Sequence, residues 1–162
     1  MKDFSPISRV VVHHRVQFSE TDMAGLVHFS QFFRYMEKAE AEFFRQVGVS
    51  MVQQDGSVFR GWPRGRVSAK FMAPLYFEDV VEIELLVKEI KERALTFFYR
   101  FRRRESPFLS AEGRPVEENL AKGEMTTVLV EKSGLAGSMQ SLPLPQSLRD
   151  RIREADPIAM RP

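Results

Sequence analysis

Residues 19–40 read SETDMAGLVHFSQFFRYMEKAE. An acid, Asp22, precedes a small flexible pair, Ala24 and Gly25, and a strongly apolar pattern follows. From Phe29 onward, Phe32, Phe33, Met36, Phe43, Phe44 and Val47 recur at three- and four-residue steps, while Arg34, Glu37, Lys38, Glu42 and Arg45 fall mostly elsewhere. That spacing predicts one long amphipathic helix closed by Gly48 as its C′ residue. It is the most apolar element in the chain, so its stripe is expected to pack against a sheet. At ~100° per residue, Glu40 falls inside the same stripe, where a carboxylate has to be paired, protonated or beside a wet cavity.

The segments around the helix read as strands. In VVVHHRVQF (10–18), Val10, Val12, His14, Val16 and Phe18 share one face, and Val11, His13, Arg15 and Gln17 share the other. Val67, Ala69, Phe71 and Ala73 alternate with Arg66, Ser68 and Lys70 until Pro74 stops the run. Val81, Ile83, Leu85 and Val87 alternate with Glu82, Glu84 and Lys88, and Phe97, Tyr99 and Phe101 with Phe98, Arg100 and Arg102. EMTTVLVEK (124–132) is β-branched and strand-like. Residues 105–119 read as a loop or hairpin extension, and LPLPQSLRDRIREA as a short terminal helix entered through Pro145. The order predicts an α+β domain with one helix on an antiparallel sheet, spanning 1–162 as one unit with a loop and short helix after about residue 133.

Composition narrows the function classes. The chain has 162 residues, 43% of them hydrophobic, enough for one domain with a real core. Its 24 basic and 22 acidic residues leave a net charge of +2 with no long basic block, which argues against a nucleic-acid binder. No cysteine is present, which excludes disulfides, thiolate nucleophiles and Cys-ligated zinc. His13 and His14 face opposite sides of a strand, so the three histidines make no metal site. MKDFSPISR has no apolar signal-peptide region and no run of about 18 apolar residues occurs, so the expectation is a cytoplasmic protein without membrane attachment.

Taken together, Glu20-Thr21-Asp22, Ala24-Gly25-Leu26-Val27, Arg34-Tyr35-Met36-Glu37 and Ala39 resemble the hotdog-fold thioesterases, in particular the 4-hydroxybenzoyl-CoA thioesterase-like branch. Weaker agreement runs through FMAPLYFEDVVEIEL (71–85) and SLPLPQSLRD (141–150). The resemblance implies a hotdog fold, an antiparallel sheet of five or six strands wrapped round one long central helix. It also implies a homodimer or homotetramer with active sites at the dimer interface. The implied activity is cleavage of an acyl-CoA thioester without metal or organic cofactor, coenzyme A being part of the substrate.

By that resemblance Asp22 is the catalytic carboxylate, with two roles open to it: activating water as a general base, or attacking the thioester to give a mixed anhydride. The backbone N–H groups near His28 and Phe29 would form the oxyanion hole, since the first amides of a helix are unsatisfied and sit at its positive end. Gly25 would let the backbone approach the ligand. Gln31 is a candidate to orient the acyl group or water, and Phe29 and Phe32 to line an acyl pocket. The chain departs from the family where His28-Phe29 replace an aromatic followed by histidine or tyrosine, where Gln31-Phe32 replace Asn-Tyr, and where Glu40 replaces a common arginine.

For the phosphates of coenzyme A, the candidates are Arg64 and Arg66 beside the GWPRGR turn, and Arg100 and Arg102 (with Arg104) on one strand face. Trp62 is a candidate to stack on adenine. Two other readings keep the same pocket: a non-catalytic acyl-CoA-binding protein that does not need Asp22, and a dehydratase or hydratase that sets Asp22 against His28.

Overall fold

The computed structural model describes residues 5–161; Met1–Phe4 and Pro162, part of the expected 1–162 unit, lie outside the described residues. The architecture is the expected hotdog. The strands Arg9–Arg15 (β1), Arg64–Phe71 (β4), Val80–Ile90 (β5), Ala94–Glu105 (β6) and Glu118–Val128 (β7) form one antiparallel sheet in the order β1-β5-β6-β7-β4. The long helix Ser30–Val47 (α1) packs on one face of it, and Gly48 closes the helix in the left-handed conformation at φ 76°. A second, smaller sheet joins Gln53–Asp55 (β2), Val58–Gly61 (β3), Val130–Ser133 (β8) and Met139–Ser141 (β9).

Helix and sheet meet through residues that alternate as read. Phe43 packs edge-on against Phe97, and Phe32 against Phe101, with ring centroids 5.0 and 5.1 Å apart. Tyr35 and Ala39 are fully buried as well and widen the apolar stripe. The close approach depends on Gly123 of β7, where a Cβ would collide with the methyl of Met36 and come within 2.5 Å of the Ser68 carbonyl oxygen.

Several expectations are corrected. Phe18 is 76% exposed, because the chain turns into a 3-10 helix at Phe18–Glu20 and the two-residue alternation ends there. Phe29 is 58% exposed, since α1 begins one residue later. The 53–61 hairpin was not expected, although Asp55-Gly56 is a turn signal and Gly56 adopts φ 57°. Residues 105–119 contain a short helix, Pro107–Ala111 (α2), capped by the Ser106 hydroxyl, and β7 begins at Glu118. The expected 124–132 strand is split at Leu129 between the two sheets. Trp62 is buried against Phe44 at 4.9 Å and belongs to the core, so it offers no face to adenine.

The expected terminal helix is Gln146–Arg149 (α3), entered through Pro145. The chain then crosses the outer face of the sheet, where Ala155 N–H bonds the Val87 carbonyl at 2.8 Å and Ala155 and Met160 cover Leu86 and Phe98. β5 is therefore buried on both faces. Among the described residues no helix is long and apolar enough to cross a membrane.

Glu40 is fully buried and pairs with Arg64, whose side chain is 31% exposed. Its Oε1 has no hydrogen-bond partner among the described residues. Burial outweighs the arginine and pushes the carboxyl up to about 7. A carboxyl that holds its proton more tightly when folded favours folding at low pH and loses that advantage as pH rises through the folded value. Glu40→Gln is therefore expected to raise stability by about 1–3 kcal/mol at pH 8 and to have little effect at pH 5, measured by thermal unfolding across that range. Gly123→Ala is expected to cost about 1–3 kcal/mol through overpacking, read from urea unfolding.

Candidate active site

Residues 20–28 form a tight hairpin between β1 and α1. The Glu20 carbonyl accepts His28 N–H at 2.9 Å, Thr21 bridges Val27, and Asp22 N–H bonds the Leu26 carbonyl at 2.7 Å. Asp22 sits at the tip. Its Oδ1 accepts the N–H groups of Ala24 at 2.8 Å and Leu26 at 3.2 Å, while Oδ2 has no hydrogen-bond partner among the described residues. Gly25 turns the tip at φ 76°, and a Cβ there would meet nothing within 4 Å. Within the protomer its role is therefore conformational rather than close approach.

The hairpin is docked from below. Val27 N–H bonds the Leu75 carbonyl at 2.8 Å, and Leu26 bridges Tyr76. The 74–79 segment is in turn gripped by Arg103, buried to 1% on the inward face of β6. Arg103 Nε donates to Asp79 Oδ2 at 2.9 Å, its Nη2 to the Pro74 carbonyl, and its Nη1 to Glu118 at 3.0 Å. Tyr76 N–H also donates to Asp79 Oδ2 at 3.0 Å. Sequence reading did not single out Arg103. Its signal was the alternation itself, which places it inward with Phe97, Tyr99 and Phe101.

Beside the hairpin lies an apolar groove of about 330 Å³, lined by Leu26, Val27, Phe29, Phe32, Phe71 and Leu75 among others. Phe29 and Phe32, the candidates for an acyl pocket, both line it. The Phe29 N–H finds no acceptor among the described residues, so one helix-entry amide of a groove-lining residue is uncommitted. The His28 N–H is not free, because Glu20 holds it. The His28 ring caps the helix instead, with Nδ1 2.7 Å from Ser30 Oγ and 3.3 Å from Ser30 N–H. Gln31 lines a different, polar cleft with Arg34 and Lys38. The Asp22 carboxylate is exposed in the protomer and bonds its own turn rather than the helix start.

Most of the arginines expected to hold phosphate are occupied. Arg64 is committed to Glu40 and the Trp62 carbonyl. Arg100 pairs with Glu84 at 3.0 Å and binds the Ala159 and Arg161 carbonyls. Arg102 lies 3.6 Å from Glu82 and 3.3 Å from the Asn119 side-chain oxygen, and Arg104 pairs with Glu82 at 3.0 Å. The strand-face cations thus neutralise acids on the neighbouring strand. Arg66 alone of the candidates has no ion pair or hydrogen bond from its guanidinium among the described residues. No group of three or more His, Asp or Glu among them is placed to hold a metal ion.

The family model of the Thioesterase-like superfamily matches residues 16–152. A protein of Aquifex aeolicus (strain VF5) named "Putative esterase" is 35% identical over 91 residues, 55% of this chain and 69% of that protein. A 1,4-dihydroxy-2-naphthoyl-CoA hydrolase of Prochlorococcus marinus (strain NATL1A) is 26% identical over 110 residues, 64% of this chain and 73% of that enzyme. The structure of 4-hydroxybenzoyl-CoA thioesterase from Pseudomonas sp. strain CBS-3 superposes with a TM-score of 0.73 at 16% identity, over 89% of this chain and 99% of that one, a likeness of fold.

Replacing Arg103 by Met leaves Asp79 buried without its counter-ion. The expected loss is about 3–5 kcal/mol of unfolding free energy, measured by urea denaturation against wild type.

Proposed function

The chain belongs to the thioesterase-like superfamily, and on that footing we propose that it hydrolyses an acyl-CoA thioester to the free acid and coenzyme A. The observation that carries this reading is an apolar groove lined by Phe29, whose N–H has no acceptor among the described residues, beside the hairpin that carries Asp22, whose Oδ2 is uncommitted. The acyl group lies along Phe29 and Phe32, and its carbonyl oxygen takes the Phe29 amide. Asp22 acts as general base on water or as nucleophile. Either way a tetrahedral oxyanion forms against the amide and collapses with loss of the coenzyme A thiolate, and on the nucleophilic route water then hydrolyses the Asp22 anhydride to release the acid and restore the carboxylate. A carboxylate and an amide suffice for this chemistry, so we assign it no metal or organic cofactor. His28, tied to Ser30, takes no chemical step.

The exposure of Asp22 in one chain is consistent with a site completed by a second. β4 is an edge strand of the main sheet, and Val67, Phe71 and Met72 on or beside it are 37%, 44% and 49% exposed. An open apolar edge of this kind invites pairing with its own copy. Antiparallel pairing about a two-fold axis lays the Arg64 end of one strand beside the Phe71 end of the other. Arg66, whose guanidinium is uncommitted among the described residues, is the cation we assign to a phosphate of coenzyme A.

The test is a panel of aryl-, short- and long-chain acyl-CoAs with thiol release monitored. Hydrolysis of at least one is expected, with Asp22→Asn losing about 10²–10⁴-fold in kcat while folding and ligand binding persist. Binding without turnover, equal in wild type and variant, would sink the hydrolase reading. Sedimentation is expected to give at least twice the 18.8 kDa chain mass.

A further inference from the structure

A polar cluster that includes Glu20 and Lys38 borders a cleft separate from the groove. Lys38 Nζ is 2.9 Å from His14 Nδ1. An ammonium can only donate, so Nδ1 accepts and His14 carries its hydrogen on Nε2. That N–H points at the Glu20 carboxylate, 2.9 Å from Oε1 and 2.8 Å from Oε2. Glu20 Oε2 accepts two more hydrogens, from Tyr35 Oη at 3.1 Å and from Gln17 N–H at 2.8 Å. The His14 and Glu20 side chains are 11% and 12% exposed, and Tyr35 is fully buried.

We propose that Glu20 is the positioning residue of the site: its side chain fastens β1 and α1 together at the root of the hairpin, and its own backbone carbonyl fastens the hairpin to the helix entry. The proposal rests on the reading of Asp22 as the catalytic carboxylate. Asp22 is two residues along the chain from Glu20, and the helix-entry residue His28 is hydrogen-bonded to the Glu20 carbonyl at 2.9 Å. One residue thus sets both the carboxylate and the amide that must meet the same carbonyl carbon and oxygen, a geometry in which displacements of about 1 Å cost about 10²-fold in rate. Burial works against the Glu20 charge, but the Gln17 N–H, His14 and Tyr35 outweigh it and hold the carboxyl below its usual range. The acid is therefore an anion wherever the enzyme works near neutrality, and the clamp stays closed. An apolar cluster would pack these elements as tightly without fixing their register, whereas a fully connected polar network admits one arrangement.

The experiment follows amide exchange and thioester hydrolysis in Glu20→Gln and Tyr35→Phe, alone and with Asp22→Asn. Both single variants are expected to speed exchange of the Leu26 and His28 amides by about tenfold or more, leaving the β5 and β6 amides at wild-type rates. Both are expected to lower kcat about 10–100-fold with KM held within about threefold. In the Asp22→Asn background Glu20→Gln should take away less rate than it does alone, because the part of its effect that runs through Asp22 is already lost. Unchanged hairpin exchange, or a Glu20→Gln loss that multiplies with that of Asp22→Asn, overturns the proposal. Tyr35→Phe keeps the test alive if Glu20→Gln does not fold. A wild type that releases no thiol from any acyl-CoA defeats the hydrolase reading instead, and the exchange rates still decide whether Glu20 clamps the hairpin.

Discussion

Everything at the site hangs from the buried grip of Arg103 on the 74–79 segment. A guanidinium buried to 1% needs its donors satisfied, and it finds Asp79, Glu118 and the Pro74 carbonyl. That fixes the Tyr76–Asp79 turn, in which Glu78 holds a positive φ of 64°, a conformation few non-glycine residues tolerate without support. The turn also secures β1, since Val16 N–H bonds the Asp79 carbonyl at 2.9 Å. Above it, Leu75 and Tyr76 receive the hairpin that carries Asp22. The Asp22 carboxylate stands on the surface, but its position descends through three layers of hydrogen bonds to a charge in the core.

The helix contributes from the other direction. Its buried phenylalanines, Phe32, Phe43 and Phe44, add apolar burial that favours folding, and Gly123 lets it approach the sheet at the level of Met36. With α1 seated there, Phe29 lies at the rim of the groove, while Tyr35 reaches Glu20. The same helix face therefore serves core packing, pocket wall and hairpin clamp. The outer face of the sheet has a different character. There Glu82 and Glu84 are matched by arginines from β6, and the chain beyond α3 covers Leu86 and Phe98. These pairings leave little free charge on β5 and β6 for a ligand.

The sequence alone determined the long helix with its Gly48 stop and the inward sets on β1, β5 and β6, because helical and strand periodicities are local properties. It also determined the resemblance that put Asp22 and Phe29 in view. Which amide was available was a tertiary matter: His28 and Phe29 are neighbours in the chain, yet Glu20 takes the N–H of one and leaves the other free. The same holds for the arginines. Alternation put Arg100, Arg102 and Arg104 on one face, but only strand pairing supplied the acids opposite them. Arg103, Asp79 and the Lys38–His14–Glu20–Tyr35 cluster join residues from 15 to 24 positions apart, or bridge separate elements. Hydrogen bonds of that kind exist only once the chain has folded, and no periodicity records them.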